Sequence, residues 1–241
     1  MLEIRPALLD DLDGIMAVET ETFGPLGEGA AASRQTMAHR IRLLNGEAPE
    51  WFFVACCNGR ILGDIVLQPT NLSIESCTSW GAATSDGSLD STFSREGKNV
   101  YGVSLAAACD APRGTPELLL NRGFLTWRST GKDLWLFCSR IPGFAAARRR
   151  TGISAEDYIA KRRRNGGPRD PLLYLYWKWT GGAEPIRLLR DGYAVDSDSG
   201  GYGALYALDD PVAALRAIAV HLPSAGATLD RTHLTMKGPR P

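Results

Sequence analysis

Two tracts of cations are the most conspicuous chemistry in this 241-residue chain: Arg148-Arg149-Arg150 and Lys161-Arg162-Arg163-Arg164. Between Arg140 and Arg169 nine basic residues stand against two acids, Glu156 and Asp157, although the whole chain carries 27 of each sign and no net charge. Such segregation can serve a polyanionic partner even when the total cancels. The tracts also have a plain structural reading, because cations at a helix C-terminus complement its dipole and charge runs are commonly solvated faces. The other reactive side chains are scattered. His39, His221 and His233 show no Ser/His/Asp or Cys/His spacing, and no metal-ligand spacing is present. Five cysteines include no C-x-x-C, and Cys56, Cys57 and Cys138 lie inside apolar runs, which fits small buried hydrophobes in a reducing, cytoplasmic compartment. Gly200-Gly201-Tyr202-Gly203 lacks the strand before and helix after that a dinucleotide site needs.

Whatever these residues do, an α/β scaffold must position them. A hydrophobic fraction of 44% with zero net charge excludes a disordered chain. The longest apolar runs, such as 51–57, fall far short of the ~20 residues of a membrane-crossing helix. No basic region followed by an apolar stretch opens the chain, so no secretory signal is expected. Leu2 to Arg5 reads as a strand. Leu8 to Phe23 has the apolar spacing of a helix, and Ser33 caps a second that runs to Leu44. Asn58-Gly59 between two β-type runs predicts a hairpin. The polar stretch 71–99 is too long for an inert connection and is expected to form a lobe over a binding site. Tyr101 to Ala108 follows as a core strand, then a helix over 116–128 and a strand over 133–138. One helix ends near Gly152. Another opens at Ser154 and is expected to reach Arg164. A helix over 172–179, strands at 186–189 and 203–207, and a helix from Asp210-Pro211 to Leu222 complete a single domain over 1–222. Residues 223–241 read as a tail.

The order of these elements resembles the GNAT (GCN5-related N-acetyltransferase) fold. The resemblance rests on LEIRPALLDDLDGIMAVETETF, FFVACCNGRILGDIVL, YGVSLAAACDAPRGTPELLL and LWLFCSRIPGF, followed by DYIAK, RDPLL and GGYGALYALDDP, and spans roughly 2–210. It implies an α/β protein with a mixed, mostly antiparallel central sheet and helices on both faces. In that family the fourth strand splays and exposes backbone to the pantetheine arm of acyl-CoA, so Leu105, Ala106 and Ala107 are implied donor contacts. The diphosphate rests on the next helix N-terminus, within an Arg/Gln-x-x-Gly-x-Gly/Ala loop; free N–H groups and the positive helix end make such a site. Here the loop reads Pro112-Arg113-Gly114-Thr115-Pro116-Glu117. Pro116 removes one N–H, and Glu117 puts a negative charge where an anion should sit. Arg113 and Gly114 remain as donor contacts.

A weakened diphosphate loop together with the two cationic tracts favours aminoacyl-tRNA as the acyl donor, with acyl-CoA the alternative and a catalytically inactive ligand-binding module a third reading. The acceptor is expected to be a small amine, in a step of specialised biosynthesis, with no tightly bound cofactor, no metal, no DNA and no membrane partner; the chain would act as a monomer or homodimer. Family members often place a Tyr four residues before a Gly to protonate the leaving group. That spacing from Gly181 lands on Trp177, so Tyr176, one position off, is the general-acid candidate, with Ser104 as a second catalytic candidate. Trp80, Asp86, Ser139 and Arg140 are candidate substrate contacts.

Overall fold

The computed structural model describes residues 2–223. Strand β1 (Glu3–Pro6) leads through a short 3-10 turn into α1 (Leu12–Phe23). That turn is fixed by Asp11, whose carboxylate accepts two bonds from Arg5, at 2.6 and 2.7 Å, and one from the Leu8 N–H at 2.8 Å. Helix α2 (Arg34–Asn45) opens on Ser33, whose hydroxyl accepts the Thr36 N–H. Strands β2 (Phe52–Cys57) and β3 (Arg60–Thr70) form the expected hairpin. Asn58 and Gly59 both take positive φ, 50° and 78°, as the tight turn demands. The stretch 71–98 contains a short helix, α3 (Trp80–Thr84), and leads into β4 (Asn99–Ala107).

Helix α4 (Thr115–Thr130), β5 (Trp135–Arg140), α5 (Phe144–Thr151), α6 (Ala155–Ala160), α7 (Pro171–Trp179), β6 (Arg187–Leu189), β7 (Gly203–Leu208) and α8 (Pro211–Ala219) follow. The seven strands make one sheet in the order β1-β2-β3-β4-β5-β7-β6. Every neighbouring pair is antiparallel except β4 with β5. A Cβ on Gly63 would lie 3.2 Å from Leu119 and 3.3 Å from Thr115, so that face of β3 carries α4. Neighbouring Asp64 therefore faces the layer of α1 and α2. Helices α7 and α8 pack on the α4 side, where Phe124, Trp127 and Trp135 form an edge-on aromatic cluster.

Two sequence expectations change. The helix opening at Ser154 stops at Ala160, because Lys161 is extended (φ −65°, ψ 135°) and the basic run continues as one arm of a tight loop. Arg162 pairs with Pro168 across that loop, and the Arg163 N–H bonds to Gly167. The chain turns through Gly166 at φ 83°, a conformation suited to glycine. The last helix ends at Ala219 rather than Leu222. His233 and residues 224–241 lie outside the described residues. Among the described residues no helix is long and apolar enough to cross a membrane.

One buried carboxylate ties α5, α6 and α7 together. Asp170 is 1% exposed and caps α7 by accepting the Leu172 and Leu173 N–H groups at 2.9 and 3.2 Å. It also accepts the Tyr158 hydroxyl of α6 at 2.8 Å and the Gly143 N–H that precedes α5 at 3.2 Å. Removing it strands a buried hydroxyl and a helix start at once. Asp170→Ala should lower stability by about 3 kcal/mol, read from the urea midpoint. An unchanged midpoint would show that the junction does not hold α7 in place.

Candidate active site at the opening of the sheet

Strands β4 and β5 pair only from Val100 opposite Trp135 to Gly102 opposite Phe137, and then part. A bulge on the other edge of β4 falls at the same level: Leu67 pairs with Gly102 and Val66 with Ser104, which leaves Val103 unmatched. Bulges bend and twist the strand that carries them, and this one turns β4 away from β5. Past the bulge the Ala108 N–H bonds to Leu62 on β3. Two-residue alternation then directs the main-chain groups of Leu105 and Ala107 the other way, into the gap. A cavity of about 430 Å³ fills this opening. It is lined from both faces of the sheet, by Phe124 and Tyr176 on the α4 side and by Glu19 and Arg40 on the α1–α2 side.

Two loops close over it. The Trp80 indole N–H donates to Val103 O at 2.8 Å, and the Trp80 main-chain N–H donates to Gly192 O at 2.9 Å. Tyr193 stacks on Trp80 with ring centroids 6.3 Å apart and donates its hydroxyl to Cys138 O at 2.5 Å. Arg140 grips Asp196 with two bonds, at 2.7 and 3.0 Å. Burial alone would raise the Asp196 carboxyl, but its bonds to Arg140 and Ser199 outweigh that and hold it below the usual carboxylate range. The lobe expected at 71–99 thus interlocks with residues 190–202 above the gap.

Tyr176 lines the cavity with its ring 4.8 Å from Phe137. Burial pushes its phenol up to about 12, so it keeps its proton at neutral pH. Ser104 also lines the cavity, and its hydroxyl is buried with no partner. Trp80, Asp86, Leu105 and Arg140 are brought to the same space. Ser139 is not: it is 1% exposed, and its hydroxyl donates to Arg140 O. Ala106 is buried on the β3-paired side of β4 and Ala107 stands further along the open edge.

Sequence reasoning missed a buried charge cluster under α1 and α2. Arg40 is 2% exposed; its Nε donates to Gly87 O at 2.7 Å and its Nη1 to Met37 Sδ at 3.6 Å. Glu19 is 2% exposed, accepts the Ala32 N–H at 2.7 Å and leaves Oε2 unbonded. Asp64 is fully buried with neither oxygen bonded. Burial raises the Glu19 carboxyl and drives that of Asp64 well above its ordinary value, more strongly than Arg40 lowers them. The signal was present in the pattern. Glu19 lies one turn from Ile15, Arg40 one turn from Met37 and Leu44, and Asp64 stands in mid-strand, all on apolar stripes.

The start of α4 offers little to a diphosphate. The Thr115 N–H already bonds to Pro112 O at 3.1 Å, Pro116 has none, and the Leu118 N–H bonds to Gly114 O at 2.9 Å. Glu117 is held there by the Trp179 indole N–H at 3.1 Å. Gly114 (φ 92°) is crowded by Pro223, whose Cδ lies 2.8 Å from where a Cβ would be, and Arg113 is exposed. The second cationic tract is partly spoken for. Arg162 pairs with Glu184 at 2.9 Å, and Arg163 donates to Pro168 O with its guanidinium 4.0 Å from the centre of the Tyr174 ring. Arg148, Arg149 and Arg150 are exposed at the end of α5 and Arg164 in the loop, with no ion pair among the described residues.

No family model matches the chain, and no curated protein matches it. Solved structures do. The GphF GNAT-like decarboxylase in complex with isobutyryl-CoA is 23% identical with a TM-score of 0.68, over 86% of this chain and 98% of that one. The loading GNATL domain of CurA from Lyngbya majuscula is 17% identical with a TM-score of 0.72, over 87% and 98%. Ard1 from Thermoplasma volcanium is 15% identical with a TM-score of 0.50, over 86% and 97%. With its seven-stranded sheet opened between β4 and β5, the chain has the GNAT fold.

The buried acids set a pH dependence. An acid whose folded pKa is raised stabilises the fold below its unfolded pKa of ~3.9, and that contribution is lost as pH rises toward the folded value. The native protein should therefore lose stability as pH climbs from about 4. Asp64→Asn, which has no proton to lose, should flatten that decline. Urea midpoints for both proteins across the range test this, and parallel curves would mean that Asp64 ionises without cost.

Proposed function

We propose that the chain is an acyl-transfer enzyme that takes its acyl group from a pantetheine thioester lying in the gap between β4 and β5 and passes it to a small amine. The observation that carries this reading is the open edge of β4, along which Leu105 lines the cavity that Tyr176 also lines. A neutral amine attacks the thioester carbonyl, and N–H groups on the open edge of β4 receive the developing oxyanion. As the tetrahedral intermediate collapses, the C–S bond breaks and the thiolate takes the Tyr176 proton, which a phenol at about 12 still carries; the new amide nitrogen sheds its surplus proton, which returns to the Tyr176 phenolate. Ser104, a cavity-lining residue whose buried hydroxyl has no partner among the described residues, is the second catalytic candidate, for contact with the reacting carbonyl. The isobutyryl-CoA held by the similar GphF structure supports a thioester donor.

Aminoacyl-tRNA remains a second reading, favoured by the occupied start of α4 and by Arg148, Arg149 and Arg150, which have no ion pair among the described residues. Internal pairing of Arg162 and Arg163 places it behind the thioester.

Two measurements test this reading. Calorimetric titration should give butyryl-CoA and butyryl-pantetheine affinities within about threefold, because a diphosphate held by two charge-assisted bonds would separate them by about 100-fold. Displacement of butyryl-CoA by aminoacyl-tRNA at low salt would instead favour the second reading. Tyr176→Phe, which keeps the ring packing on Phe137, should lower kcat by about 100-fold with little change in KM. An unaltered kcat would remove Tyr176 from proton transfer.

A further inference from the structure

Arg40 carries more binding capacity than the fold uses. It is one of the largest fully buried side chains in the protein, yet it has no ion-pair partner among the described residues. Its two bonds, to a main-chain carbonyl and a thioether, leave Nη2 without an acceptor among the described residues, although the residue lines the central cavity. A buried guanidinium without a direct ion pair is costly; Glu19 and Asp64 favour its charge, but burial outweighs them, and neither carboxyl bonds to it. Gly87 keeps the site open: a Cβ there would fall 2.7 Å from Arg40 Nη2 and 3.1 Å from the Trp80 ring. The positive φ of Gly87, 88°, also disfavours a side chain at this point.

Arg40 stands on the α1–α2 face, across the sheet from α4 and Tyr176. A thioester entering from the α4 side therefore meets the guanidinium only after its acyl carbon has passed through the gap. We propose that Arg40 receives a carboxylate group of the substrate at the far end of the cavity, so that the protein selects a substrate with an acid function remote from the reacting carbonyl. A planar carboxylate matches the fork of a guanidinium whose Nη2 has no acceptor among the described residues. A phosphate, with nearly two charges, calls for a second cation, and the other guanidinium on the wall, Arg140, is already bonded to Asp196. The carboxylate could belong to the acyl chain or to the amine. The assignment rests on the acyl-transfer reading for the direction of entry and for the substrates tested.

Two matched pairs separate the sources. Succinyl-CoA against butyryl-CoA places the acid on the acyl chain; β-alanine against propylamine, titrated with butyryl-CoA present, places it on the amine. In one pair the acid should bind the native protein about tenfold more tightly than its neutral match, the effect of one charge-assisted bond. Arg40→Gln should shrink that ratio to about twofold, and Arg40→Lys, which keeps the charge but loses the planar fork, should retain part of it. The absence of preference in both pairs with the native protein would overturn the proposal even if neither variant folds. Survival of the full preference in a folded Arg40→Gln protein would do the same. Should both thioesters fail to bind at all, the donor reading falls, while the β-alanine pair, repeated without thioester, still decides the carboxylate.

Discussion

The parting of β4 from β5 is the constraint on which the rest of the molecule depends. Ending a ladder in mid-sheet leaves main-chain donors and acceptors without partners, and each costs free energy unless something else bonds to it. The fold meets that demand at one point with a side chain, the Trp80 indole on Val103 O, and leaves the next stretch of β4 open. An open strand edge inside a protein persists only where a bound molecule or water completes it. The opening is therefore the cause of the site, and the helices and loops around it are what keep it from collapsing.

Those supports are of different kinds. On the α4 face α7 is held by the Asp170 junction, which sets the Tyr176 ring against Phe137. Above the gap, residues 71–98 and 190–202 bond to each other through Trp80 and Gly192, and Tyr193 closes the contact. On the α1–α2 face the support is electrostatic and incomplete, because Arg40, Glu19 and Asp64 share a buried space without one direct ion pair. The cavity is thus bounded by packed aromatic and main-chain contacts on two sides and by a cluster of buried ionisable groups on the third.

The scaffold was legible in the sequence because its signals are local. Asn58-Gly59, Ser33, Ser154 and Gly152 each fix a turn or cap through the chemistry of one or two residues, and all four do so in the structure. The overlong helix at 154–164 shows the limit of that approach. Four consecutive cations read as a helix end, whereas pairing across the loop to Pro168 and Gly167 drew them into an extended arm. Of the site, Tyr176, Ser104, Trp80, Asp86 and Arg140 were named in advance and meet at one cavity. The buried cluster was not, since Glu19, Arg40 and Asp64 come from α1, α2 and β3, and their proximity is a property of the sheet rather than of any spacing. What could be read was the anomaly: charged residues on three stripes that should have been apolar.

The start of α4 bears on where donor affinity can come from. With the Thr115 and Leu118 N–H groups engaged, Pro116 lacking one, and Glu117 anchored by Trp179, a diphosphate there would find few donors and an adjacent negative charge. On the acyl-transfer reading, binding energy for a thioester would then come from the open edge of β4 and from the cavity, which Arg40 also lines. Interactions close to the reacting carbon can grow as the transition state forms, whereas a grip on a remote diphosphate holds ground and transition states alike. On the acyl-transfer reading, a site with few donors for a remote diphosphate would draw its discrimination from the opening between β4 and β5 and from the cavity that fills it.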